Sequence, residues 1–85
     1  MQVLKTRVEG LLLIEPDVYR DERGYFFEHY SRAKYEALGL IGEFVQDNCS
    51  LSQRGTIRGL HYQIDPGAQG KLTSVVHGRV LDVAV

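Results

Sequence analysis

The chain has 85 residues, 44% apolar and 25% charged, with a formal net charge of −1. These values describe an ordinary globular domain and allow only one, with a thin core. Lys and Arg are scattered rather than clustered, which argues against a nucleic-acid-binding surface. Cys49 is the single cysteine, so no intrachain disulfide forms and nothing points to secretion. The longest apolar run, Leu11 to Ile14, is too short for a signal peptide or a membrane span. A cytoplasmic location without membrane attachment is the expectation, and the Asn48-Cys49-Ser50 sequon is read as chance.

In chain order, residues 2–7 predict a first short strand, and 11–15 form an apolar run bounded by Pro16. Residues 20–24 (RDERG) carry turn chemistry, charges followed by a glycine that tolerates positive φ. The aromatic run 25–30 (YFFEHY) reads as strand. Ser31 caps a short helix over 32–38, and Gly39 stops it. Residues 44–51, 56–63, 71–77 and 79–85 are strand candidates, with His77-Gly78 as a hairpin turn. Many short strands, glycine turns and one small helix predict an all-β sandwich or barrel. The Val-rich stretch ending at Val85 has no turn or polar tail, so the chain is expected to belong to a longer domain.

The chemistry concentrates in RGLHYQ, residues 58–63. His61 fits three roles: a core histidine bonded to backbone, a metal ligand or a general base. His61 and Gln63 share one face of a strand, but a neutral amide is a poor ligand for a transition metal. His29 and His77 do not stand at ligand spacing from His61. The run Gly55-x5-His61-x-Gln63-x7-Lys71-x6-Gly78 resembles the first motif of the cupin superfamily, Gly, His-x-His, Glu, Gly. Gln63 stands where a second His belongs, and Lys71 stands where the Glu belongs. A cation at that place suits a substrate oxygen rather than a metal. GAQGK hints at a phosphate loop, but Asp65 and Leu72 break that motif.

Four stretches in order, RDERGYFFE (20–28), EFVQDNCSLS (43–52), TIRGLHYQ (56–63) and GAQGKLTSVVHGRVLDVAV (67–85), are similar to the N-terminal half of the dTDP-4-dehydrorhamnose 3,5-epimerase family. The resemblance covers nearly the whole chain. It implies an all-β cupin jelly roll with one short helix, incomplete at its C-terminus, with residues 1–85 as the N-terminal part of one domain. It also implies a homodimer that works without metal or other cofactor on a dTDP-4-keto-6-deoxy sugar. His61 is then the base and Lys71 the group that holds the enolate oxygen. Arg58 contacts the diphosphate or the sugar, and Gln46, Asp47 and Asn48 line the substrate pocket. Arg23 and Glu28 reach the site of the partner subunit, where Arg23 meets the diphosphate and Tyr19 or Phe26 stacks on thymine. The bland account of each is also simple: Arg58 and Lys71 as surface cations, 46–48 as a polar face, Arg23 and Glu28 as a charged turn. Asp82, set among Val80, Leu81, Val83 and Ala84, is expected to be paired or functional. In the family the catalytic acid and the carboxylate that orients the base lie further along than residue 85.

Overall fold

The computed structural model describes residues 1–40 and 42–85. Two antiparallel hairpins and one helix make up its regular structure. The first hairpin joins β1 (Gln2–Lys5) to β2 (Leu12–Glu15). Val3 pairs with Ile14 and Leu4 with Leu13, so apolar side chains face each other on both sides of the ribbon. Only the Val3/Ile14 face is half-buried. The connecting loop is braced by Thr6, whose hydroxyl donates to Leu11 O at 2.9 Å and accepts from Val8 N at 3.2 Å.

The second hairpin joins β3 (Val18–Asp21) to β4 (Gly24–Phe27), with Tyr19 opposite Phe26 and Asp21 opposite Gly24. The RDERG turn lies where the sequence placed it, with Glu22 and Arg23 as the two loop residues. Strand β3 was not foreseen. Its signal is the Val18-Tyr19 pair, which mirrors the aromatic run across the turn. The aromatic strand is shorter than 25–30 and ends at Phe27. Beyond it the chain bends, and Tyr30 packs edge-on against Tyr35 (4.8 Å between centroids) and Phe44 (5.4 Å).

The helix α1 (Arg32–Ala37) forms as its end signals predict. Ser31 Oγ accepts from Lys34 N at 3.4 Å, and Gly39 follows with φ +74. A left-handed residue just past a helix is where glycine is favoured, because a Cβ in that conformation crowds the following carbonyl oxygen. Tyr35 is 6% exposed and is the one buried apolar side chain among the described residues. Arg32 reaches Glu36 and Glu43, both at 2.9 Å, and so ties α1 to the segment that follows it.

The strands expected over 44–51, 56–63, 71–77 and 79–85 do not form, and His77-Gly78 joins no hairpin. Their apolar side chains are exposed: Leu51 by 95%, Ile57 by 92%, Leu81 by 91%. A strand exists through its ladder, and these four segments form no ladder among the described residues. The architecture shown is therefore two small antiparallel sheets and one short helix, an all-β chain in its regular part. No helix among the described residues is long and apolar enough to cross a membrane.

Candidate substrate site

The two hairpins and α1 place Arg23 and Glu28 firmly. Arg23 sits at the β3–β4 turn, and its guanidinium donates to Asp21 Oδ2 through Nε (3.1 Å) and Nη2 (2.6 Å). The backbone N–H of Arg23 donates to the other oxygen, Asp21 Oδ1, at 2.8 Å. The Arg23 hydrogen bonds hold the Asp21 carboxyl below the ordinary carboxylate value. Glu28 lies just past β4 and pairs with Lys34 of α1 at 3.0 Å. That hydrogen bond raises the Lys34 ammonium above its usual value. Tyr19 and Phe26, the candidate stacking aromatics, are direct cross-strand partners and both stand in solvent.

The second group of candidates lies in the segment without ladders. Gln46 Nε2 donates to Asn48 Oδ1 at 3.3 Å, so these two amides meet as their i, i+2 spacing predicts, with Asp47 exposed between them. Arg58 Nε donates to Ser52 Oγ at 3.0 Å. Gly59 turns the backbone at φ +107, and a Cβ built there would stand 3.3 Å from His61 Nδ1. The imidazole therefore lies against a position where only glycine fits without strain. His61 and Lys71 are both exposed. Among the described residues, Gln46 with Asn48 is the one pair of candidates joined by a hydrogen bond or ion pair. Among the described residues, two open hollows of about 340 and 160 Å³ flank α1 and are lined by residues such as Glu36, Leu40, Glu43, Tyr30 and Phe44; neither is lined by His61, Lys71, Arg58 or Arg23.

Asp82 was expected to be paired or functional, and the structure speaks to the pairing alone. Asp82 is exposed and enters no ion pair among the described residues. Its segment is not buried, so water solvates the carboxylate and no partner is demanded. Three residues that sequence reasoning passed over hold candidates in place: Asp21, Lys34 and Ser52. Asp21 was findable, because an Asp two residues before a turn amide is the side chain that caps it. Ser52 gave no signal. Nor did the contact between His29 Nε2 and Ser74 Oγ at 3.1 Å, which spans 45 positions.

The deciding observation comes from comparison with known proteins. A family model described as dTDP-4-dehydrorhamnose 3,5-epimerase matches residues 5–85. The chain belongs to that family. Among its relatives, the dTDP-4-dehydrorhamnose 3,5-epimerase of Shigella flexneri is 52% identical over 86 residues, covering 100% of this chain and 48% of its own length. The protein of the same name from Methanothermobacter thermautotrophicus is 51% identical over 82 residues, covering 96% and 44%. That from Pseudomonas aeruginosa is 51% identical over 86 residues, covering 100% and 47%. The chain thus spans about half the length of the curated relatives it matches. No solved structure matches it.

Proposed function

We propose that these 85 residues are the N-terminal part of a cupin-type epimerase domain. In this reading the whole protein inverts C-3 and C-5 of dTDP-4-dehydro-6-deoxy-D-glucose to give dTDP-4-dehydro-L-rhamnose. The observation that carries the reading is the family match over 5–85, a range that includes RGLHYQ and Lys71.

The chemistry follows from these residues. Both carbons lie next to the C-4 ketone, so their protons are weakly acidic, and losing one leaves an enolate. The reaction needs a base near neutral pH and a positive group at the ketone oxygen. An imidazole with an ordinary value of about 6.5 suits the first, and general base catalysis contributes on the order of 10²- to 10⁴-fold. His61 takes the proton. Lys71 supplies charge to the oxygen as the enolate forms. Reprotonation from the opposite face inverts the carbon. Arg58 and Arg23 bind the diphosphate, where the guanidinium fork matches phosphate oxygens. Gln46, Asp47, Asn48 and Glu28 hold the sugar. No cofactor or metal takes part, since Gln63 and Lys71 occupy two of the three ligand places of the cupin motif. The strand-like segments 44–85 complete a jelly roll with partners outside this stretch, and the protein works as a cytoplasmic homodimer.

The test is solvent exchange. The chain, and the same chain joined to the remaining half of the Shigella flexneri relative, are each mixed with dTDP-4-dehydro-6-deoxy-D-glucose in deuterated water, and C-3 and C-5 are followed by NMR. Deuterium at both carbons with the joined chain, abolished by His61→Ala, is expected, with little or none from the 85 residues alone. Exchange at C-3 only would reassign the protein to a C-3 epimerase. Binding of dTDP without any exchange would reduce it to a nucleotide-sugar-binding module. That second reading draws on the exposure of His61 and Lys71 in the present structure.

A further inference from the structure

We propose that Asp21 is the positioning residue of Arg23: it fixes the guanidinium at the β3–β4 turn so that the free edge is presented ready-made to an anionic phosphate. The inference rests on the reading of Arg23 as a diphosphate ligand and goes beyond it by naming what aims that ligand.

The geometry is local and complete. Asp21 Oδ1 accepts the backbone N–H of Arg23 at 2.8 Å, which anchors the carboxylate to the turn. Oδ2 then accepts both Arg23 Nε and Arg23 Nη2. One carboxylate therefore holds the backbone and the side chain of the same arginine. It cannot rotate away from one without losing the other. A guanidinium carries five N–H donors, and two are spent on Oδ2. The remaining three, on Nη1 and Nη2, lie on the side away from Asp21, and the arginine side chain is 85% exposed. The carboxylate stays ionised at neutral pH, because the Arg23 hydrogen bonds lower its pKa.

The thermodynamic reason is preorganisation. A free arginine loses most of its rotamer freedom when it grips a phosphate. Here that freedom is already restricted in the unliganded hairpin, so binding loses less entropy. Asp21 also brings a negative charge near the ligand. That repulsion acts across solvent and is screened by salt, whereas the Asp21–Arg23 contact is short and also carries direct hydrogen bonds.

Asp21→Asn separates this role from simple turn formation, because the amide oxygen still accepts the Arg23 N–H while the ionic grip on the guanidinium is lost. With dTDP as the probe, D21N is expected to weaken binding by about two- to five-fold. R23A should weaken it by about ten- to a hundred-fold. Adding D21N to R23A should cause no further loss. A purely structural Asp21, needed only to accept the turn N–H, would be replaced by Asn without loss, so unchanged or tighter binding by D21N overturns the proposal, as does an equal loss in the native and R23A backgrounds. If R23A itself binds dTDP normally, the diphosphate reading of Arg23 falls, and the ligand half of the proposal falls with it. The geometric half is read without ligand: the Arg23 Nε–H signal should exchange slowly in the native chain and rapidly in D21N. Equal exchange in both would overturn the proposal whatever dTDP does.

Discussion

Residues 1–40 and residues 42–85 contain similar residues in similar patterns, yet only the first stretch builds regular structure. In the first, each apolar or aromatic run finds its partner within about ten to fifteen positions: Val3 with Ile14, Tyr19 with Phe26, Tyr30 with Tyr35. In the second, Val45, Ile57, Tyr62 and Val80 stand in solvent, although their alternation is as strand-like as that of β1. The difference teaches that propensity becomes a strand only when a neighbour lies within reach. Short loops close at small entropic cost, so a hairpin partners itself, whereas a strand whose neighbour lies far along the chain depends on long-range pairing.

The largest effect should come from supplying such partners. In the chain alone, amides of 44–85 should exchange with solvent close to the unprotected rate. Joined to the remaining half of the Shigella flexneri relative, those in 56–63 and 71–77 should gain protection of several orders of magnitude. Hydrogen exchange read by mass spectrometry checks this, and unchanged exchange would mean that these segments are not strands of the larger domain. Next comes the one buried side chain. Tyr35→Ala removes the contact with Tyr30 and should melt α1, a loss of about 3 kcal/mol or more. Far-UV circular dichroism should show the helix signal disappear while the cross-strand contacts of both hairpins persist by NMR.

A smaller effect follows from Gly39, whose φ of +74 opposes any Cβ. Gly39→Ala should destabilise α1 by about 1 kcal/mol, visible as a partial drop in the same helix signal. The smallest effects are in pH, and they run in opposite directions. The Asp21 carboxyl is lowered in the folded hairpin by Arg23, so its contribution is present above the ordinary carboxylate value of about 4 and is lost as pH falls through the lower folded value. Burial raises the Tyr35 phenol, so its contribution is present below about pH 10 and is lost as pH rises through the higher folded value. NMR titration should show the β3–β4 turn loosening at the acid end and the Tyr30/Tyr35 contact at the alkaline end. The reverse assignment would refute both.

The legible parts of the molecule are those governed by neighbours in sequence. Ser31 and Gly39 bound α1 because capping is a matter of three or four residues. The RDERG turn follows from charges and a glycine in a row. The meeting of Gln46 and Asn48 follows from their spacing of two. The pairing of Glu28 with Lys34 was not legible, since it depends on the bend after Phe27 that brings α1 back towards β4. Nor was the grip of Ser52 on Arg58, which has no pattern behind it. His61 was legible as a chemical group through its RGLHYQ surroundings, but its rest against Gly59 is a property of one backbone angle.

By itself, the sequence determined the family, the identity of the groups able to carry the chemistry, and the local elements whose hydrogen bonds close over a few residues. Only the tertiary structure decided which of the strand-like runs become strands, which charges pair, and which carboxylate holds Arg23. Those outcomes depend on burial and on long-range pairing, and both are set by where distant segments lie in space rather than by what any window of the chain contains.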